Sequence, residues 1–147
     1  MHYEEMLAYL NILAVQVKQY NPDEIVGVSR SGLPYATWIS QILDIKHLGY
    51  LNLNNRELCL SNKESKNIVI LDDNIVEGRT YKEITTLMLN YPHITYKFGV
   101  LFTDNVKTPL SIKNQVLKGC DLDYFATSVP GIMKKYKPYI RSRDAGI

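Results

Sequence analysis

Two stretches of the chain carry residues arranged for chemistry. The first is Ile68-Val69-Ile70-Leu71-Asp72-Asp73-Asn74-Ile75-Val76-Glu77-Gly78-Arg79-Thr80. Four successive apolar residues have the character of a buried strand and deliver two adjacent carboxylates at its tip. Adjacent acids repel, so the pair is not expected to sit in a dry core without a polar partner such as sugar hydroxyls, a metal ion or an arginine. Gly78 and Thr80 then open a helix, whose first backbone N–H groups make a natural anion cradle. Hydroxyl acceptors beside a phosphate cradle meet the needs of a ribose 5-phosphate. The plainer alternative is an acidic strand end followed by a solvated turn, and the Gly-x-Thr turn opening a helix weighs against it.

The second stretch is Val28-Ser29-Arg30-Ser31-Gly32-Leu33-Pro34. Small residues let backbone N–H groups approach an anion, and Arg30 adds a fixed positive charge suited to pyrophosphate. No Gly-Lys-Ser/Thr follows, so it is not a Walker A loop. Ser31 stands where a nucleophile elbow requires its second glycine. None of His2, His47 and His93 has a sequence-level claim to act as a base for Ser29.

The elements that must position these loops alternate along the chain. Met6, Leu10, Leu13 and Val17 recur at helical spacing and predict a helix over 3–20, ended by Asn21-Pro22-Asp23. Glu24–Val28 reads as a buried strand, and Pro34 suits the first turn of a helix running to about Leu43. A strand is expected over 47–53, a long polar loop over 54–66, and a second core strand over 67–71. The Asp72–Arg79 loop leads to a helix over 80–89. A third core strand is expected over 96–102, an irregular segment with a short helix over 104–117, and a last strand over 122–127. The pattern predicts a single α/β domain over 1–147, with a mainly parallel twisted sheet flanked by helices. In such sheets ligands bind at the carboxyl ends of strands, where both loops fall.

Composition narrows the field further. The chain has 147 residues, 46% of them apolar, which suffices for one core without a disulfide or metal staple. Seventeen basic against fifteen acidic residues leave a net charge of +2, which argues against a dedicated nucleic-acid-coating surface. Cys59 and Cys120 exclude a disulfide framework and a CxxC metal site. The acidic start and the lack of a long apolar run predict a cytoplasmic protein with no membrane span.

Taken together, the paired loops resemble those of the type I phosphoribosyltransferases, nearest to the xanthine-guanine (purine) branch. Ile68 to Thr80 is similar to that family's signature for phosphoribosyl pyrophosphate (PRPP), and Val28 to Pro34 to its pyrophosphate loop. Leu43 to Leu48 and Asn55-Arg56-Glu57 are similar to segments lying between the two. The resemblance implies Mg²⁺-dependent transfer of ribose 5-phosphate from PRPP to a purine or purine-like base, in nucleotide salvage, by a homodimer or higher oligomer. Asp72 and Asp73 would hold the ribose hydroxyls, directly or through Mg²⁺. Val76, Glu77, Gly78, Arg79 and Thr80 would wrap the 5-phosphate. Ser29, Arg30, Ser31 and Gly32 would bind pyrophosphate, with a non-proline cis peptide expected near Ser29–Arg30. Residues 54–66 would form a mobile loop closing over the site.

The chain departs from that pattern in ways that carry chemistry. Val76 stands where the 6-oxopurine enzymes usually place an acid near the ring. Glu77 puts a carboxylate where a threonine commonly meets the 5-phosphate. Asp104, with Lys107 downstream, follows the third core strand where a lysine would read an oxo group. An ionised acid accepts from an amino group but cannot donate to an oxo group, which points toward an amino-bearing or modified base. In the basic, aromatic tail from Val129, Tyr136 or Tyr139 would stack on the base. The alternative to an active enzyme is a PRPP- or nucleotide-binding regulatory protein of the same fold.

Overall fold

A computed structural model describes residues 3–123. The elements run α1 (Tyr3–Tyr20), β1 (Glu24–Val28), α2 (Leu33–Ile42), β2 (Leu48–Asn52), β3 (Glu57–Cys59), β4 (Asn67–Ile75), α3 (Arg79–Met88), β5 (Thr95–Asp104), α4 (Leu110–Lys113) and β6 (Val116–Leu122). One sheet orders the strands β3-β2-β1-β4-β5-β6. Every neighbouring pair is parallel except β2–β3.

The central strands are buried on both faces, which is why β1 and β4 read as continuous apolar runs rather than alternating ones. Alternate residues serve opposite faces. Ile25, Val69 and Leu71 share a core with Leu10, Leu13 and Val17 of α1 and with Ala36 and Ile39 of α2. Val26, Ile68 and Ile70 share a second with Ile84, Leu87 and Met88 of α3. The sheet is thus covered on both sides, as the alternation of elements predicts.

Three expectations are corrected. The acids at 72 and 73 belong to β4 rather than to a loop, because pairing with β5 continues through Ile75↔Thr103. A strand forms over Val116–Leu122, inside the segment expected to be irregular, and residues 124–127 of the strand expected over 122–127 lie outside the described residues. Charged residues and Gly119 hide the observed strand from an apolar-run criterion, but among the described residues it is the outermost strand, a position that tolerates charge. Gly119 is required there, since a Cβ would lie 2.6 Å from the carbonyl oxygens of Leu101 and Tyr9.

The third correction concerns residues 54–66. They do not form one long loop, because β3 pairs antiparallel with β2 and buries Leu58. The stretch after β3 is bound to the amino end of β1. Glu24, fully buried, accepts from the Ser61 N–H at 2.7 Å, the Asn62 N–H at 3.1 Å and the Ser65 hydroxyl at 2.9 Å. Asp23 accepts from the N–H groups of Lys66 and Asn67, each at 3.0 Å. Only the turn at 53–56 stands at the carboxyl edge of β2.

Candidate functional site

The strand order places a crevice beside the two chemical loops. From β1 the chain proceeds outward to β2 and β3, then returns to β4 on the other side of β1. The loops leaving β1 and β4 lead to helices on opposite faces, α2 and α3. Such a switch point opens a ligand crevice between the two carboxyl ends.

On the β1 side, the Ser29–Arg30 peptide bond is cis, where the resemblance implied one. Gly32 lies against the backbone of β4. A Cβ there would overlap the Leu71 carbonyl oxygen and come within 2.9 Å of the Val28 nitrogen and 3.0 Å of the Asp72 Cα. This contact lets the Ser31 hydroxyl donate to Asp72 Oδ1 at 2.9 Å. The two loops therefore meet through a hydrogen bond between side chains 41 residues apart. Arg30 is exposed at the rim.

On the β4 side, Asp72 and Asp73 are both only 3% exposed, a burial that the sequence reading allowed only with polar partners. Asp72 Oδ1 also accepts from the Asp73 N–H, and Asp73 Oδ1 from the Asn74 N–H, each at 2.8 Å. Burial raises the Asp72 carboxyl above its ordinary pKa, against the hydrogen bonds from Asp73 and Ser31. Burial, with the neighbouring Asp72 charge, raises Asp73 well above its own. Asp73 Oδ2 and both polar side-chain atoms of Asn74 are buried without a hydrogen-bond partner among the described residues. A buried acceptor left unmade is costly, and such groups mark places where a ligand completes the structure.

The loop after β4 divides its residues by role. Val76 is buried in the core, whereas Glu77 and Arg79 are exposed. Gly78 has φ +93°, the left-handed region that disfavours a side chain, and serves as N-cap of α3. No side chain caps α3 there, and none caps α2 at Gly32. The start of α3 is thus the helix terminus that favours an anion, whereas at α2 the Leu33 N–H donates to the Arg30 carbonyl at 3.2 Å and Pro34 has no N–H to offer. Thr80 is buried in the first turn of α3.

Of the residues expected to read a base, Asp104 and Lys107 lie among the described residues. Asp104 ends β5, buried, and its Oδ1 accepts from the N–H groups of Val106 and Lys107 at 2.8 Å each. These bonds close the turn, and Oδ2 is buried without a hydrogen-bond partner among the described residues. Lys107 is exposed in the same turn. Tyr136 and Tyr139 lie outside the described residues. Sequence reasoning missed Asn74, Thr108 and Ile112. The polar Asn74, set between Asp73 and the apolar pair Ile75-Val76, was the one available signal.

A second Ser/His pair lies at the other end of the sheet, with His47 Nδ1 3.3 Å from Ser61 Oγ. Asn62 Oδ1 accepts from the Glu64 N–H, so its amide nitrogen faces His47 Nε2 at 3.4 Å. Nε2 is then the acceptor and Nδ1 carries the proton, which rules out this imidazole as a base for Ser61 in that tautomer. Among the described residues no cluster of three or more His, Cys, Asp or Glu side chains could hold a metal. The Asp72–Asp73 pair, with its unpartnered Oδ2, instead suits Mg²⁺ held by one or two carboxylates together with substrate oxygens. Among the described residues no helix is long and apolar enough to cross a membrane.

No protein-family model matches the chain, and no curated protein matches its sequence. Solved structures do match its fold. A purine phosphoribosyltransferase from Pyrococcus horikoshii is 20% identical, with TM-score 0.64 over 83% of this chain and 85% of that one. The Helicobacter pylori xanthine-guanine-hypoxanthine phosphoribosyltransferase is also 20% identical, with TM-score 0.59 over 91% and 96%. An orotate phosphoribosyltransferase from Aeropyrum pernix is 16% identical, with TM-score 0.60 over 88% and 74%. Sheet order, paired loops and these superpositions agree that the chain has the type I phosphoribosyltransferase fold.

Proposed function

We propose that this chain is a PRPP-dependent nucleobase phosphoribosyltransferase, acting in the cytoplasm as a homo-oligomer on a purine or purine-like base. The observation that carries the reading is the Ser31–Asp72 hydrogen bond, which joins a pyrophosphate-type loop to a ribose-type acidic pair at the switch point. In the reaction the C1–oxygen bond to pyrophosphate breaks, its electron pair leaving with the pyrophosphate. The base nitrogen forms the new bond to C1 from the opposite face. Asp72 and Asp73 hold the ribose hydroxyls and balance the positive charge that grows on the sugar. The residues from Val76 to Thr80 hold the 5-phosphate with backbone N–H groups. Ser29 to Gly32 bind the departing pyrophosphate, and Arg30 offsets its charge. Mg²⁺, held by Asp72 and Asp73 with substrate oxygens, would supply further neutralisation of that charge. Asp104, Lys107, Tyr136 and Tyr139 are the proposed base-side residues.

The test is release of pyrophosphate and formation of nucleotide from PRPP, Mg²⁺ and a panel of bases, run also in reverse. Turnover with at least one base is expected, and none in either direction would remove the enzymatic reading. One observation favours a second reading, a PRPP or nucleotide sensor: Val76, packed into the core, offers no proton acceptor to a base. Calorimetric binding of PRPP without turnover, abolished in Asp73→Asn, would establish it.

A further inference from the structure

The loop that follows β4 is held from beneath by the segment that follows β5. The Thr108 hydroxyl lies 2.6 Å from the Val76 carbonyl oxygen and 3.0 Å from that of Ile75. The Thr108 hydroxyl oxygen in turn accepts from the Asp104 N–H at 2.9 Å. One hydroxyl thus ties the end of β5 to the two residues from which the anion loop departs. Asp104 closes the intervening turn through Val106 and Lys107, and the Lys113 ammonium donates to the Asn105 carbonyl at 2.8 Å. Ile112 completes the support, since its Cδ1 occupies the space where Gly78 would carry a Cβ. Thr108 and Ile112 are both buried and neither belongs to the two loops.

We propose that Thr108 is a positioning residue for the anion loop and that Ile112 is its apolar counterpart. Val76 and Gly78 bracket the turn whose N–H groups must converge on a phosphate. A carbonyl anchored at Val76 and a side chain packed under Gly78 set the direction in which those groups point. The support acts on one loop alone: Ser29–Gly32 is positioned separately, through the contact of Gly32 with β4. The inference rests on the reading of 76–80 as a phosphate loop, and it predicts selectivity between two anions.

The experiment compares the full chain with Thr108→Val and Thr108→Ser. Ribose 5-phosphate probes the loop at 76–80, and inorganic pyrophosphate probes the loop at 29–32. Loss of one buried hydroxyl pairing should weaken ribose 5-phosphate binding by about tenfold in Thr108→Val. Pyrophosphate binding stays unchanged, and Thr108→Ser restores ribose 5-phosphate binding. Amide exchange over 76–80 should rise in Thr108→Val, while exchange over 29–32 does not. Equal weakening of both anions, or unchanged exchange over 76–80, overturns the proposal. Failure of the unsubstituted chain to bind ribose 5-phosphate overturns the phosphate-loop reading, whereas the exchange comparison addresses the support itself. Should Thr108→Val fail to fold, Ile112→Ala, which removes no hydrogen bond, has to show the same selective loss.

Discussion

Asp72 and Asp73 are two carboxyl groups in a place where carboxylates are expensive. Burial dominates, and the Ser31 hydroxyl with a few backbone N–H groups only partly offsets it. A folded-state pKa raised above the ordinary 3.8 means that the folded chain holds the proton more tightly than the unfolded chain. The stabilising contribution is therefore full below 3.8 and is lost as pH rises through the raised value. Near neutrality the ligand-free fold carries the penalty. Asp73→Asn should relieve it, raising stability at neutral pH by ~1–2 kcal/mol while abolishing ribose 5-phosphate binding. Urea unfolding with a chelator present, between pH 4.5 and 7.5, checks this; an identical pH slope in both proteins would sink it. At this scale the sequence displayed the acids and the loop residues openly. It did not display their burial, because that depends on a neighbouring strand rather than on adjacent residues.

Elements show a different division of labour. The carboxyl end of β1 faces the crevice, while its amino end, through Glu24, fastens the segment that follows β3. Glu24→Gln would present an amide nitrogen to a shell made of donors, leaving part-buried N–H groups or the buried Ser65 hydroxyl unpaired. The expected cost is ~2–3 kcal/mol, with faster amide exchange over 60–66. Thermal unfolding and exchange measure the two, and a loss no larger than that of an ordinary surface substitution would count against this role. Sequence reading missed this anchoring because Glu24 opens an apolar run like any strand-end acid, and its partners lie 37–41 residues away. It missed β3 for a related reason: a three-residue strand with one buried side chain has no periodicity to detect.

For the whole molecule, the alternation of strands and helices was legible, whereas the lateral order of strands was not. Order depends on which connections cross back, and residue patterns do not encode that directly. Among the described residues β6 is the sheet's outermost strand, and a distant residue pairs with part of its backbone. The Gln16 amide on α1 donates to the Lys118 carbonyl at 2.7 Å and accepts from its N–H at 3.1 Å, satisfying an edge residue as a further strand would. Gln16→Ala should uncover that edge, lowering stability by ~1 kcal/mol and increasing self-association on warming, read by light scattering. Unchanged scattering would show that α1 protects the edge without this side chain.

The contact at Gly32 has a consequence for how such a chain changes over generations. The spacing between the pyrophosphate-type loop and the acids is set by main chain against main chain, with no side chain interposed. Substitution can tune a side-chain contact by small steps, but here any Cβ overlaps the Leu71 carbonyl, so position 32 offers no small step. The spacing of the two loops is thereby insulated from drift elsewhere. Exposed positions such as Glu77 and Lys107 remain open to variation, so under the proposed function recognition of a base could diverge while the spacing of the two loops stays fixed.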